Sequence, residues 1–152
     1  MKTTKLLMLI MLAMSVVPSS VRAACTNHTG AGTWGFSTSG SIPAIGAVAA
    51  TGIFTQDVSG KITGKQTRSL NGDIADETFT GTGTINPDCT GTATIQVFES
   101  GVLVRTTTLN VVYDDGGREA RAVFTSLVLA DGTSLPTIIT FEARRVFPKK
   151  SD

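Results

Sequence analysis

From Thr33 onward, apolar or threonine-rich runs of about 8 to 12 residues alternate with turn signals, the pattern of successive antiparallel strands. Asp57-Val58-Ser59-Gly60, Asn71-Gly72, the polar stretch Asn86–Gly91, Ser100-Gly101, Asp114-Asp115-Gly116-Gly117 and Asp131-Gly132 divide the chain. The segments between them predict eight strands over 33–41, 46–56, 61–70, 75–85, 90–99, 102–113, 118–130 and 134–147. Period-2 alternation places Leu103, Arg105, Thr107, Leu109, Val111 and Tyr113 on one face of the sixth strand. It groups Glu119 and Arg121 with Val123, Leu127 and Leu129 on the seventh, and Ile139, Phe141, Ala143, Arg145 and Phe147 on the eighth. No helix of any length is expected from residue 24 onward.

Eight strands joined by short hairpins make one long meander. With no second layer to cover it, such a sheet removes both of its edges by closing on itself. The predicted fold is an all-β, up-and-down antiparallel barrel of eight strands, either filled by its own side chains or holding one small ligand. A two-sheet sandwich is the competitor. It fits poorly, because Pro87 and Asp88 put Cys89 in a turn and no tyrosine stands two residues before it.

Composition adds the compartment. Met1–Ala23 carries Lys2 and Lys5, an apolar run from Leu6 to Val17 and a Val21-Arg22-Ala23 junction, and reads as a cleaved signal peptide. The organisation is then 1–23 signal, 24–32 an N-terminal segment, 33–148 the barrel and 149–152 a tail. The run is too short for a bilayer span of about 20 residues. The formal charge is +1 for the whole chain. Removal of three basic residues and no acid leaves the mature chain at −2. That charge gives no basis for nucleic-acid binding. Cys25 and Cys89 are the only cysteines, and after export they are expected to form one disulfide tying the N-terminal segment to a turn. The expected location is the periplasm or the cell exterior.

Two resemblances bear on the fold. Gly32-Thr33-Trp34 resembles the Gly-x-Trp signature of lipocalins and related calycin barrels. That likeness implies that Trp34 closes one barrel end beneath a basic residue of the last strand, here Arg145. The runs Gly32–Phe36, Asn86–Thr92 and Asp114–Gly117 resemble short exported bacterial proteins associated with allene-oxide-cyclase-like and dirigent-like barrels. This second likeness implies the fold and carries no mechanism.

Candidate chemistry is sparse. His28 is the single histidine, outside any Gly-x-Ser-x-Gly elbow, and reads as an exposed residue of the N-terminal segment. Asn27-His28-Thr29 matches a glycosylation sequon, and Asp114-Asp115 is read as a hairpin rather than a cation site. Neither metal nor cofactor is expected. Charges in phase with apolar faces are more informative, because a buried charge is paired or costly. Arg105 and Glu119 are a candidate pair across the sixth and seventh strands. Trp34, Arg105, Tyr113, Glu119 and Arg145 are the candidate ligand-binding residues. Small residues crowd the second strand (Gly46, Ala47, Ala49, Ala50, Gly52) and the fourth (Gly81, Gly83), which either empties the lumen or lets it curve. Three functions follow: an exported barrel binding a small apolar molecule, a cyclase or isomerase in the same barrel, or a filled structural barrel. An outer-membrane barrel is disfavoured by one Trp, one Tyr and no aromatic girdle, so no stable membrane insertion is expected.

Overall fold

Turn chemistry sets the topology. In the computed structural model, which describes residues 24–146, Asn71 and Gly72 adopt φ of 50° and 92°, and Ser100 and Gly101 adopt 50° and 81°. Paired positive φ values of this kind make the tight hairpin whose twist matches its strands. Asp57–Gly60 and Asn86–Cys89 form a longer turn of one common design. In each, the fourth residue donates its amide to the carbonyl of the first, and φ is 89° at Gly60 and 69° at Cys89.

The strands so connected are β1 (Gly32–Ile42), β2 (Gly46–Gln56), β3 (Lys61–Leu70), β4 (Asp73–Ile85), β5 (Thr90–Glu99), β6 (Val102–Asp114), β7 (Glu119–Leu129) and β8 (Ile138–Arg145). Each pairs antiparallel with the next, and β8 pairs with β1, closing the barrel. The predicted eight-stranded up-and-down barrel is the observed fold. Helix is limited, among the described residues, to α1 (Asn27–Gly30) and a single 3-10 turn at Asp115–Gly117.

Two irregularities move side chains from one face to the other. Val97 faces Arg105 while Phe98 faces Leu103, so Val104 is an extra, bulged residue. Arg105 therefore points inward and Leu103 outward, separating two residues that strict alternation had grouped. Likewise Leu109 faces Phe124 and Thr108 faces Ser126, which makes Thr125 a bulge in β7. Ala120, Ala122 and Phe124 point inward before it, and Leu127 and Leu129 after it. Glu119, Arg121 and Val123 consequently lie on the outer face, against the expectation that they share a face with Leu127 and Leu129.

The last strand is shorter than predicted. Pro136 lacks an amide hydrogen, and residues 130–137 fold back on β7 instead, with the Leu135 amide donating to the Leu127 carbonyl at 2.9 Å. Small residues on the inner face serve curvature more than space. A Cβ on Gly81 would lie 2.3 Å from the Thr94 carbonyl oxygen, and one on Gly64 would lie 2.5 Å from the Phe79 ring. The neighbouring strand and the aromatic core occupy the volume those side chains would need. Phe147, expected on the face of the last strand that carries Phe141, the 1–23 segment read as a signal peptide and the 149–152 tail lie outside the described residues.

Candidate functional site

An even number of strands puts the start of β1 and the end of β8 at one pole of the barrel. The N-terminal segment plugs that pole. Cys25 and Cys89 are joined by the expected disulfide, which spans a sequence separation of 64. Asn27 locks the plug to two turns, accepting from the Ile85 amide at 2.9 Å and donating to the Ser59 carbonyl at 3.3 Å. This use of its amide gives Asn27 a structural task, and His28 beside it is exposed.

Trp34 is fully buried beneath the plug and donates from Nε1 to the Gly30 carbonyl at 2.8 Å. The Arg145 guanidinium lies over its ring, 4.8 Å from the centroid. Arg145 also donates to the carbonyls of Gly117 (2.7 Å), Ala31 (2.6 Å) and Thr29. Trp34 and Arg145 thus meet in the arrangement the Gly-x-Trp likeness implies. Their polar groups are spent on holding the pole shut, and neither residue lines the lumen cavities.

Beyond Trp34 the lumen is aromatic. Phe54 stacks on Trp34 at 6.1 Å, Phe36 stacks on Phe141 at 5.3 Å, and Phe79 meets Phe36 edge-on at 5.8 Å. Between these rings and β6 is a cavity of about 90 Å³, reached by Gln56, Tyr113, Ile95, Leu109 and Phe124 among others. The Tyr113 hydroxyl donates to Gln56 Oε1 at 3.4 Å, while Gln56 Nε2 is buried with no partner. Burial pushes the Tyr113 hydroxyl up to about 12, against a smaller lowering by Arg145. It stays protonated to higher pH as a result.

Toward the opposite pole lies a second cavity of about 210 Å³, walled by Ile42, Val48, Leu127, Leu129 and Ile139 and by charged residues. Thr38, Gln66, Arg105 and Phe124 line both cavities and form the boundary between them.

At that boundary sits a charge cluster centred on Glu77, 2% exposed. Arg105 grips its carboxylate with two bonds of 2.7 Å, Arg68 Nε donates at 2.9 Å and Gln66 Nε2 at 2.6 Å. Burial alone would raise the Glu77 pKa. The bonds and charge of Arg105, with the bonds from Gln66 and Arg68, outweigh burial and hold it below its ordinary value. The carboxylate is therefore ionised at neutral pH.

The expected Arg105–Glu119 pair does not form. Glu119 points outward and bonds Arg144 at 2.7 Å across β7 and β8. Arg105 reaches past β5 to β4, because both side chains point inward across a narrow lumen. Of the five candidate residues, Arg105 and Tyr113 line the cavities, Trp34 and Arg145 build the closed pole, and Glu119 lies outside. Glu77, Arg68, Gln66 and Gln56 were not among the candidates. The available signal was phase: Glu77 shares its face with Phe79 and Gly81, and Arg68 with Ile62, Gly64 and Gln66. Asp114 and Asp115 pair with Arg121 and Arg118, as a hairpin should, and the described residues hold no cluster suited to a metal ion.

No protein-family model matches the chain, and no curated protein matches it. Solved structures do share its fold. The redesigned β-barrel mFAP1 bound to DFHBI has a TM-score of 0.54 and 16% identity, with 78% of this chain and 97% of that one covered. EF1p2_mFAP2b bound to DFHBI also has a TM-score of 0.54, at 13% identity, with 78% and 95% covered. The redesigned barrel mFAP0 bound to DFHBI has a TM-score of 0.50 at 16% identity, with 77% and 99% covered. At such identities the likeness is one of fold.

Proposed function

We propose that this protein is an exported barrel that binds a small, largely apolar molecule in its lumen. The observation that carries this reading is the pair of cavities of about 90 and 210 Å³ meeting inside a barrel sealed at one pole. Together they reach the lower end of small-molecule sites, about 300 Å³. Aromatic and aliphatic side chains dominate the walls, with a few fixed polar groups among them, the usual make-up of a site that takes an apolar body and orients it. Barrels of the same fold bind the dye DFHBI, which supports the capacity of this architecture for a ligand.

The oxidised Cys25–Cys89 pair fits an exporting pathway. Among the described residues no helix is long and apolar enough to cross a membrane. The outer face carries Lys65, Asp76, Arg121 and Glu142 within its strands, charges that a lipid-facing band excludes. This supports a barrel surrounded by water. The cyclase or isomerase reading draws less support. The four hydrogen bonds that Glu77 accepts make it a weak base, and Tyr113 ionises only at about 12, so neither is a ready base at neutral pH.

Native mass spectrometry on protein purified from an oxidising compartment tests the reading. A mass excess of a few hundred daltons that disappears on denaturation is the expected result. An unliganded mass, with no uptake of an added apolar dye, would favour the filled structural barrel instead.

A further inference from the structure

The ladder of the barrel wall is interrupted between β7 and β8. These strands pair from Glu119 opposite Arg144 to Val123 opposite Thr140 and no further. Past that point the Thr125 bulge turns β7 aside, while Ile139 and Ile138 stay paired with Gly40 and Ser41 of β1. Residues 130–137 lie across the gap as a strap. Most of the strap is exposed, and Leu135 is its one apolar side chain turned inward. It returns along β7 through the single bridge of Ser134 to Val128. Beyond its own turn it is held to β7 by the Leu135 amide on the Leu127 carbonyl at 2.9 Å, and its Thr133 carbonyl accepts from the Leu129 amide at 2.8 Å. Among the described residues, no side-chain hydrogen bond joins residues 133–137 to another strand; the Thr133 amide is tied to Asp131 within the turn.

The larger cavity lies directly behind this gap. Phe124, Leu127, Leu129, Leu135 and Ile139 all line it. Ile42, Leu127 and Ile139 are buried there in one apolar cluster, and Leu135 is the member of that cluster that stands outside a paired strand. A way in through any other side of the wall breaks a ladder of backbone bonds, and the plugged pole is closed by a disulfide and the Arg145 bonds. Lifting the strap breaks two backbone bonds and withdraws one leucine.

We propose that residues 130–137 are a lid, and that a ligand enters and leaves the larger cavity between β7 and β8 when the strap lifts off β7 and takes Leu135 with it. This rests on the lumen-binding reading and supplies its portal. Gly132, at φ 89°, and Pro136 bracket the moving piece.

Stopped-flow fluorescence with 1-aminonaphthalene, an apolar probe whose emission changes out of water, tests the proposal on the disulfide-bonded protein. Leu135→Ala weakens the latch and should raise both the association and dissociation rates about tenfold, the worth of the apolar contact removed. Loss of a mere contact with the probe would raise dissociation alone. The second variant carries Val128→Cys with Ser134→Cys. These residues face each other while their neighbours make the hydrogen bonds, the close pairing that a disulfide can span. With both disulfides verified by peptide mass, this lock on local opening should slow both rates at least about tenfold and leave the affinity unchanged. Rates unaltered by the lock, or Leu135→Ala changing dissociation alone, would overturn the lid while leaving the lumen reading intact. No binding of the probe to the unaltered protein would overturn both.

Discussion

Glu77→Gln is the most informative single substitution in this molecule. The side chain keeps its length but loses its charge and one acceptor, leaving Arg68 and Arg105 buried around a neutral amide. Four hydrogen bonds converge on the carboxylate, three of them from guanidinium groups. Removing one partner of a buried ion pair costs about 3–5 kcal/mol, because the remaining charge is stranded. For a domain of this size that is a fall in Tm of about 10–20 °C, measured by calorimetry or circular dichroism at pH 7. Acidity supplies a second reading of the same term. A carboxyl whose folded pKa is below its ordinary 4.5 contributes stability fully above that value and loses it as pH falls toward the folded value. The stability gap between the unaltered protein and Glu77→Gln should therefore narrow below pH 4.5. Exposed Asp57, Asp88 and Asp131 are also held low by their turn hydrogen bonds, but they are common to both proteins and cancel in the difference. A cost below about 1 kcal/mol at pH 7, or a gap unchanged in acid, would refute the view that Glu77 holds the two arginines in place.

Other predictions concern the poles and the walls. Arg145→Met removes the hydrogen bonds to three carbonyls and the cover over Trp34. It should cost about 3 kcal/mol and shift the emission of the sole tryptophan to the red; unchanged emission would contradict the sealed pole. Replacing Cys25 and Cys89 by serine should cost about 4 kcal/mol through the 64-residue loop, read by denaturant titration. Tyr113, raised to about 12 in the fold, ionises later there than in the unfolded chain, so stability should fall as pH rises from 10 to 12. Tyr113→Phe should flatten that alkaline loss. Gly81→Ala, whose Cβ would meet the Thr94 carbonyl at 2.3 Å, should cost about 1–3 kcal/mol in thermal unfolding.

Most of the barrel is legible from local signals. Hairpins such as Asn71-Gly72 announce themselves through residues that tolerate positive φ, and between them the period of two gives the inward face directly. Legibility ends where a residue is added to the ladder. Thr125 has no feature that marks it as a bulge, yet it reverses the sense of every position after it. Alternation carried through that point joins Glu119 to Leu127 and places a surface acid in the lumen. The partner of Arg105 fails for a different reason. Adjacent strands suggest adjacent partners, whereas a narrow closed sheet brings β4 and β6 within reach across the interior. Trp34 and Arg145 were legible as a pair through the Gly-x-Trp likeness, and the closure of the barrel sets Trp34 opposite Arg145.

The even strand count separates two duties that a single-ended fold would have to combine. The start of β1, the end of β8, the disulfide and the tryptophan latch gather at one pole, so the four connections at the other (43–45, 71–72, 100–101 and 130–137) bear none of that load. Native-state hydrogen exchange should accordingly run as a gradient along the barrel axis, slow near Trp34 and fast near Leu135. The short connections 43–45, 71–72 and 100–101 tolerate lengthening and exchange of residues more readily than 130–137, whose Leu135 packs against the cluster of Ile42, Leu127 and Ile139. That pole can therefore be re-cut, by evolution or at the bench, without disturbing the floor on which the barrel stands.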